Sequence, residues 1–205
     1  MRRNYTMRLF IGIPLPESYH DKAEKLARLL DRKLASRIKW TPRGNAHITL
    51  AFLGHVDKEA LPRVKTLLST VGYPSFSLRA GGCGYFPNAK KPRVLWTGIM
   101  KGARACADLA ASVTAAITPI GFAPEEQPFT SHITLGRIKE NRNDDWESAL
   151  LLCRGVWPSF TVDRFTLWQS ELSEEGASYT ALEEFPLGPP EAPVSRPTAP
   201  RTAVR

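Results

Sequence analysis

Cysteine is scarce in this 205-residue chain, and so is histidine: three of the first and four of the second. Cys83, Cys106 and Cys153 are widely spaced, odd in number and form no CxxC pair, which argues against a disulfide framework and against a zinc site. They read as reduced thiols that pack in a cytoplasmic protein. Long apolar runs are also missing. Nothing approaches the roughly 18 residues of a membrane span. The apolar stretch Leu9–Ile13 behind Arg2 and Arg3 is too short for a secretory signal and reads as a first strand. Acidic charge is in deficit, since 28 Lys and Arg against 20 Asp and Glu leave a net +8. A basic surface attracts polyanions, but solvated helix faces account for a bare charge count equally well.

What is present is a soluble composition, 42% hydrophobic and 23% charged, in an order of strands and helices. Glu17–Ala35 reads as a helix, with Ala23, Leu26, Ala27, Leu30 and Leu34 on one stripe. Ala46–Leu53 returns to a period of two and ends at Gly54. Asp57 is a plausible N-cap for a helix running to about Val71, with Pro62 in its first turns. Phe76–Met100 reads as strands broken by loops, Ala103–Ile117 as a second amphipathic helix, and Thr130–Ile138 as a strand. A short helix follows over Asp144–Cys153, and Phe160–Glu171 pairs with Ala177–Phe185 across Ser173–Gly176 as a hairpin. Six prolines fall in the twenty residues 186–205, with no aromatic, so residues 188–205 are expected to be a disordered tail behind a single domain spanning 1–187. Strands and helices without βαβ repeats point to an α+β fold.

One internal echo outweighs the rest. His47-Ile-Thr-Leu50 recurs as His132-Ile-Thr-Leu135, 85 residues later, and uses two of the four histidines. Alternate residues of a strand share a face, so each copy offers an imidazole and a hydroxyl on one side and two aliphatic anchors on the other. His20 and His55 read as ordinary surface residues. Two imidazoles on two strands suit the opening of a cyclic phosphodiester: one takes a proton from water, the other gives one to the leaving oxygen. Thr49 and Thr134 can donate to the non-bridging oxygens, where charge is held in the transition state. None of this needs a cofactor. A metal centre on the two histidines is the competing reading, but carboxylates are sparse around both motifs and HExxH is absent.

With those residues in view, the chain resembles the two-histidine (2H) phosphoesterases, specifically the bacterial and archaeal RNA 2′,3′-cyclic phosphodiesterases once described as 2′–5′ RNA ligases. The resemblance runs through Arg8–Pro16, Lys39-Trp-Thr-Pro-Arg43, His47–Gly54, Gly84-Tyr-Phe-Pro87, Arg93-Val-Leu-Trp96, Phe129–Arg137 and Tyr179–Leu187. It implies a bilobal α+β fold in which two antiparallel sheets backed by helices are related by a pseudo-twofold axis around a central cleft. It implies hydrolysis of RNA or nucleotides ending in a 2′,3′-cyclic phosphate, giving a 2′-phosphate and a free 3′-hydroxyl. His47 is then the general acid, His132 the general base, and Arg137 a phosphate ligand. Strict alternation would turn Arg137 away from His132, so a bulge or bend at Gly136 is expected. Similar members often carry alanine there. Phe52, Tyr85, Phe86, Trp96, Phe129 and Trp168 are candidates to stack on a base. The expected partner is an RNA or nucleotide end, with no membrane, and the chain is expected to be a monomer. Reversible 2′–5′ RNA end joining and a non-catalytic RNA-binding module remain as alternatives.

Overall fold

The computed structural model describes residues 6–88, 90–122, 127–173 and 176–190. Most of the expected proline-rich tail, from residue 191 on, lies outside these residues.

Strand β1 (Thr6–Pro14) is buried on both faces from Leu9 to Ile13: Leu9, Ile11 and Ile13, at most 1% exposed, point one way, while Phe10 and Gly12 share the opposite face with exposed Arg8. It pairs with β3 (His47–Asp57) on one side and β8 (Arg164–Leu172) on the other. With β9 (Ala177–Pro186) these form a four-stranded sheet in the order β3-β1-β8-β9. The second sheet is built from β2 (Arg37–Trp40), β4 (Phe76–Phe86), β5 (Val94–Lys101), β6 (His132–Glu140) and β7 (Phe160–Val162). Its five strands lie in the order β2-β6-β5-β4-β7. All pairings within both sheets are antiparallel. The α+β expectation and the two sheets are borne out.

The lobes are not consecutive in sequence. β2 precedes β3 but belongs to the second sheet, and the last hairpin returns to the first. The helices cross over as well. Helix α1 (Glu17–Asp31), four residues shorter than its apolar stripe suggests, puts Leu30 into a cluster with Leu95 and Leu135 behind the second sheet. Helix α3 (Ala103–Ile117) buries Cys106, Leu109, Ala110, Val113 and Ile117 against the first. Between them, α2 (Leu61–Leu68) follows a 3₁₀ turn at Lys58–Ala60; Asp57 makes no side-chain cap, so the expected N-cap is not used. Helix α4 (Trp146–Leu151) is capped instead by Asp145, which accepts from the Ser148 amide at 3.0 Å. One core cluster joins Leu9 and Ile48 of the first sheet to Leu78 and Ile133 of the second, so the lobes share an interior.

Two of the three cysteines are not the reduced thiols expected. Cys83 of β4 and Cys153, just beyond α4, form a disulfide across 70 residues of chain, with Cα atoms 5.6 Å apart. Only Cys106 is free, buried in the core, with its thiol pushed up to about 12 by burial. The pairing escapes sequence reading because α4 folds back on β4, a contact that no local pattern encodes.

Candidate active site

The two repeated strands face each other across a cleft of about 500 Å³. Ile48 and Leu50, like Ile133 and Leu135, are buried on the far side of their strands, at 5% exposure or less. His47, Thr49, His132 and Thr134 all line the cleft, as the two-residue period requires. Arg137 lines it too.

Arg137 arrives there through a bulge. Trp96 of β5 is opposite Thr134, but Leu95 is opposite Gly136, so β6 carries one unmatched residue, Leu135. The parity of everything beyond it reverses, and Arg137 joins the histidine face. The irregularity lies one residue before the expected Gly136. Gly136 has a separate reason to be glycine: a Cβ there would sit 2.7 Å from Ile38 Cγ2 and 2.9 Å from Trp40 Cε3. The first motif repeats the device. Gly12 is opposite Thr49 and Ile11 is opposite Ala51, which leaves Leu50 unmatched. Five residues after each histidine, one strand therefore presents Arg137 to the cleft and the other Phe52.

Each imidazole is fixed by a backbone carbonyl two residues upstream. His47 Nδ1 lies 2.8 Å from the Asn45 oxygen, and His132 Nδ1 lies 2.8 Å from the Thr130 oxygen. A carbonyl only accepts, so each Nδ1 carries the proton and each Nε2 is left to the cleft. The Thr49 hydroxyl, 3.1 Å away, donates to His47 Nε2. Side-chain alternation carries no information about these carbonyls, so sequence reasoning missed them.

The surroundings of the two rings differ. Phe10 packs on His47 at 4.7 Å between centroids, with Tyr179 at 5.3 Å and Trp168 at 5.7 Å. Burial among these rings pushes His47 down to about 4, assisted by the positive charge of His132 and Arg137 and opposed by the Asn45 carbonyl. His132 has only Phe86 at 5.1 Å and Trp96 at 6.0 Å. Burial lowers its pKa as well, opposed by the Thr130 carbonyl.

Of the six aromatics expected as candidates for base stacking, Phe52 and Phe86 line the cleft and half-buried Tyr85 does not. Trp96 and Trp168 pack against the histidines, and Phe129 borders a separate groove beside α3. Phe10 and Tyr179 gave no signal of their own in the sequence. His55 is exposed at its edge of the strand, but His20 is buried at 7% exposure against the Thr41–Arg43 segment. Arg43 holds that segment to α1 through Glu17 and Asp21. Among the described residues no three His, Cys, Asp or Glu side chains gather as metal ligands would.

The sequence model of LigT-like phosphoesterases matches residues 13–96 and 99–179, one HxT strand in each segment. The chain belongs to this family. Among LigT-like relatives, an RNA 2′,3′-cyclic phosphodiesterase of Aquifex aeolicus is 33% identical over 187 residues, covering 89% of this chain and 98% of the relative. One of Thermotoga maritima is 34% identical over 181 residues, covering 87% and 94%. The crystal structure of TT0787 of Thermus thermophilus superposes with a TM-score of 0.76 at 30% identity, over 89% of this chain and 99% of that one. Escherichia coli LigT complexed with 3′-AMP superposes with a TM-score of 0.70 at 26% identity, over 89% and 99%. No helix among the described residues of this LigT-like chain is long and apolar enough to cross a membrane.

Proposed function

We propose that the protein hydrolyses 2′,3′-cyclic phosphates at RNA or nucleotide ends to 2′-phosphomonoesters with a free 3′-hydroxyl, using His47 and His132 as its acid–base pair. The observation that carries this reading is the convergence of both HxT faces and Arg137 on one cleft. The names of the relatives agree with it.

In this mechanism the cyclic phosphate sits between the two Nε2 atoms. Arg137 and the hydroxyls of Thr49 and Thr134 hold its non-bridging oxygens and oppose the charge that builds there. His132 Nε2 takes a proton from water as the water oxygen bonds to phosphorus. The P–O3′ bond breaks, and O3′ takes the proton of His47 Nε2. This polarity is carried over from the family resemblance. Burial keeps both imidazoles neutral near pH 7 in the free cleft, His47 most of all, so His47 gains its proton when substrate binds. The bound phosphate anion supplies the negative charge that lets His47 carry its proton.

The reading includes a monomeric, cytoplasmic enzyme, checked by light scattering and by cell fractionation. Its central test is turnover of a 2′,3′-cyclic-phosphate oligoribonucleotide in excess EDTA. Formation of a 2′-phosphate supports the histidine pair; abolition by EDTA gives the reaction to a metal centre. End joining is separated by adding a 5′-hydroxyl RNA and looking for a 2′–5′ linkage.

A further inference from the structure

Beyond the reacting groups, the cleft has a cationic far end that the chemistry above leaves unused. Arg8 and Phe10 share the cleft face of β1, two residues apart, so their Cα atoms are roughly 7 Å apart along the strand. Phe10 packs directly on His47. Arg8 thus stands beyond the catalytic ring in the direction leading away from it, and it lines the same cleft. Leu9 is opposite Gln169, and continuing that register brings Arg8 beside Ser170 of β8, which also lines the cleft. Among the described residues Arg8 has no carboxylate partner, whereas Arg43, Arg104, Arg142 and Arg164 are all ion-paired. An exposed, unpaired guanidinium next to a hydroxyl is a ready receptor for a phosphate oxygen. Arg137 already faces the reacting phosphate from the other lobe.

We infer that Arg8, with Ser170, binds the 3′,5′-phosphodiester immediately upstream of the terminal nucleotide and so makes the enzyme prefer oligonucleotide ends over free nucleoside cyclic phosphates. The inference rests on the hydrolase reading and names the feature of RNA that this site selects. The terminal nucleoside lies across Phe52, which is 55% exposed, its cyclic phosphate at the histidines and its 5′ oxygen toward Arg8. A single guanidinium–phosphate contact fixes position without reading sequence, so the preference is for chain length and not for base.

Three substrates test it: a nucleoside 2′,3′-cyclic phosphate, a dinucleotide ending in the same group, and that dinucleotide with an uncharged methylphosphonate link. Wild type is expected to favour the charged dinucleotide by about tenfold in kcat/KM over the other two. Arg8→Gln is expected to erase that advantage through KM and to change the mononucleotide by less than about twofold. Arg8→Lys restores part of it. Equal loss on all three substrates, or no loss on any, overturns the inference. Calorimetry with a dinucleotide bearing a terminal 2′-phosphate reads the same contact without turnover: Arg8→Gln should weaken Kd about tenfold, and only when the internal link is charged. A wild type that turns over none of the substrates sinks the hydrolase reading, while the calorimetric arm still decides Arg8.

Discussion

The same tetrapeptide is mounted twice, and the two mounts are unequal. Around His47 the first sheet supplies Phe10, Trp168 and Tyr179 and, five residues on, Phe52. Around His132 the second sheet supplies Phe86 and Trp96 and, five residues on, Arg137. Backbone carbonyls hold both rings in the same orientation, and a bulge at the motif leucine redirects both strands. Backbone geometry therefore preserves the pseudo-symmetry, and side chains break it. One side is apolar and discourages a charged imidazole; the other is more open and carries the cation. Such a difference separates the proton affinities of two otherwise identical groups.

The largest expected effect comes from removing either ring. His47→Ala and His132→Ala should each lower kcat/KM on a cyclic-phosphate oligonucleotide by at least about a hundredfold. A phosphodiester with a p-nitrophenyl leaving group sharpens the comparison, because that group needs no proton. His47→Ala should recover most of its activity on it, and His132→Ala should not. The opposite pattern reverses the polarity.

The disulfide clamps only the second lobe. Cys153→Ser, or reduction, should cost about 2–4 kcal/mol of stability in denaturant melts. Turnover should stay within about twofold, since neither sulfur lines the cleft. A loss of turnover without a loss of stability would mean that the clamp positions the cleft.

Acid should act mainly through the first lobe. His47 is held near 4 against an ordinary 6.5, so the unfolded chain binds more protons between those values. Stability should then rise with pH across that window and be lost as pH falls from 6.5 toward 4, by at most about 3 kcal/mol. His47→Gln should flatten the profile measured by thermal melts across the same window. His132→Gln should flatten it less; an equal effect would erase the distinction drawn between the two burials.

Arg137→Gln should lower kcat/KM by about 10- to 100-fold, from the loss of a charge-assisted bond to phosphate. Phe52→Ala, at the matching position, should cost less and act through KM. Equal effects would mean that the cation does not distinguish the lobes.

Much of the site was legible because its logic is local. A period of two puts His47 with Thr49 and His132 with Thr134 whatever the sheet does next, and the exact repeat singled out two of four histidines. Arg137 was legible only as a conflict: its spacing placed it on the wrong face, and the resolution needed one unmatched residue whose position depends on the register with β5. His20 was misread because the segment that covers it, Thr41–Arg43, meets α1 only in the folded chain. The rings that distinguish His47 come from β1, β8 and β9, the last two more than a hundred residues away along the chain.

By itself, then, the sequence determined the reactive groups, their pairing into faces and the α+β alternation, because hydrophobic period and side-chain parity are short-range properties of the backbone. Tertiary structure alone decided the exchange of helices between lobes, the Cys83–Cys153 bond, the matched bulges and the unequal burial of two identical histidines. Each of these depends on which distant segments pack together, and packing energy is shared among residues that local pattern never brings into one window.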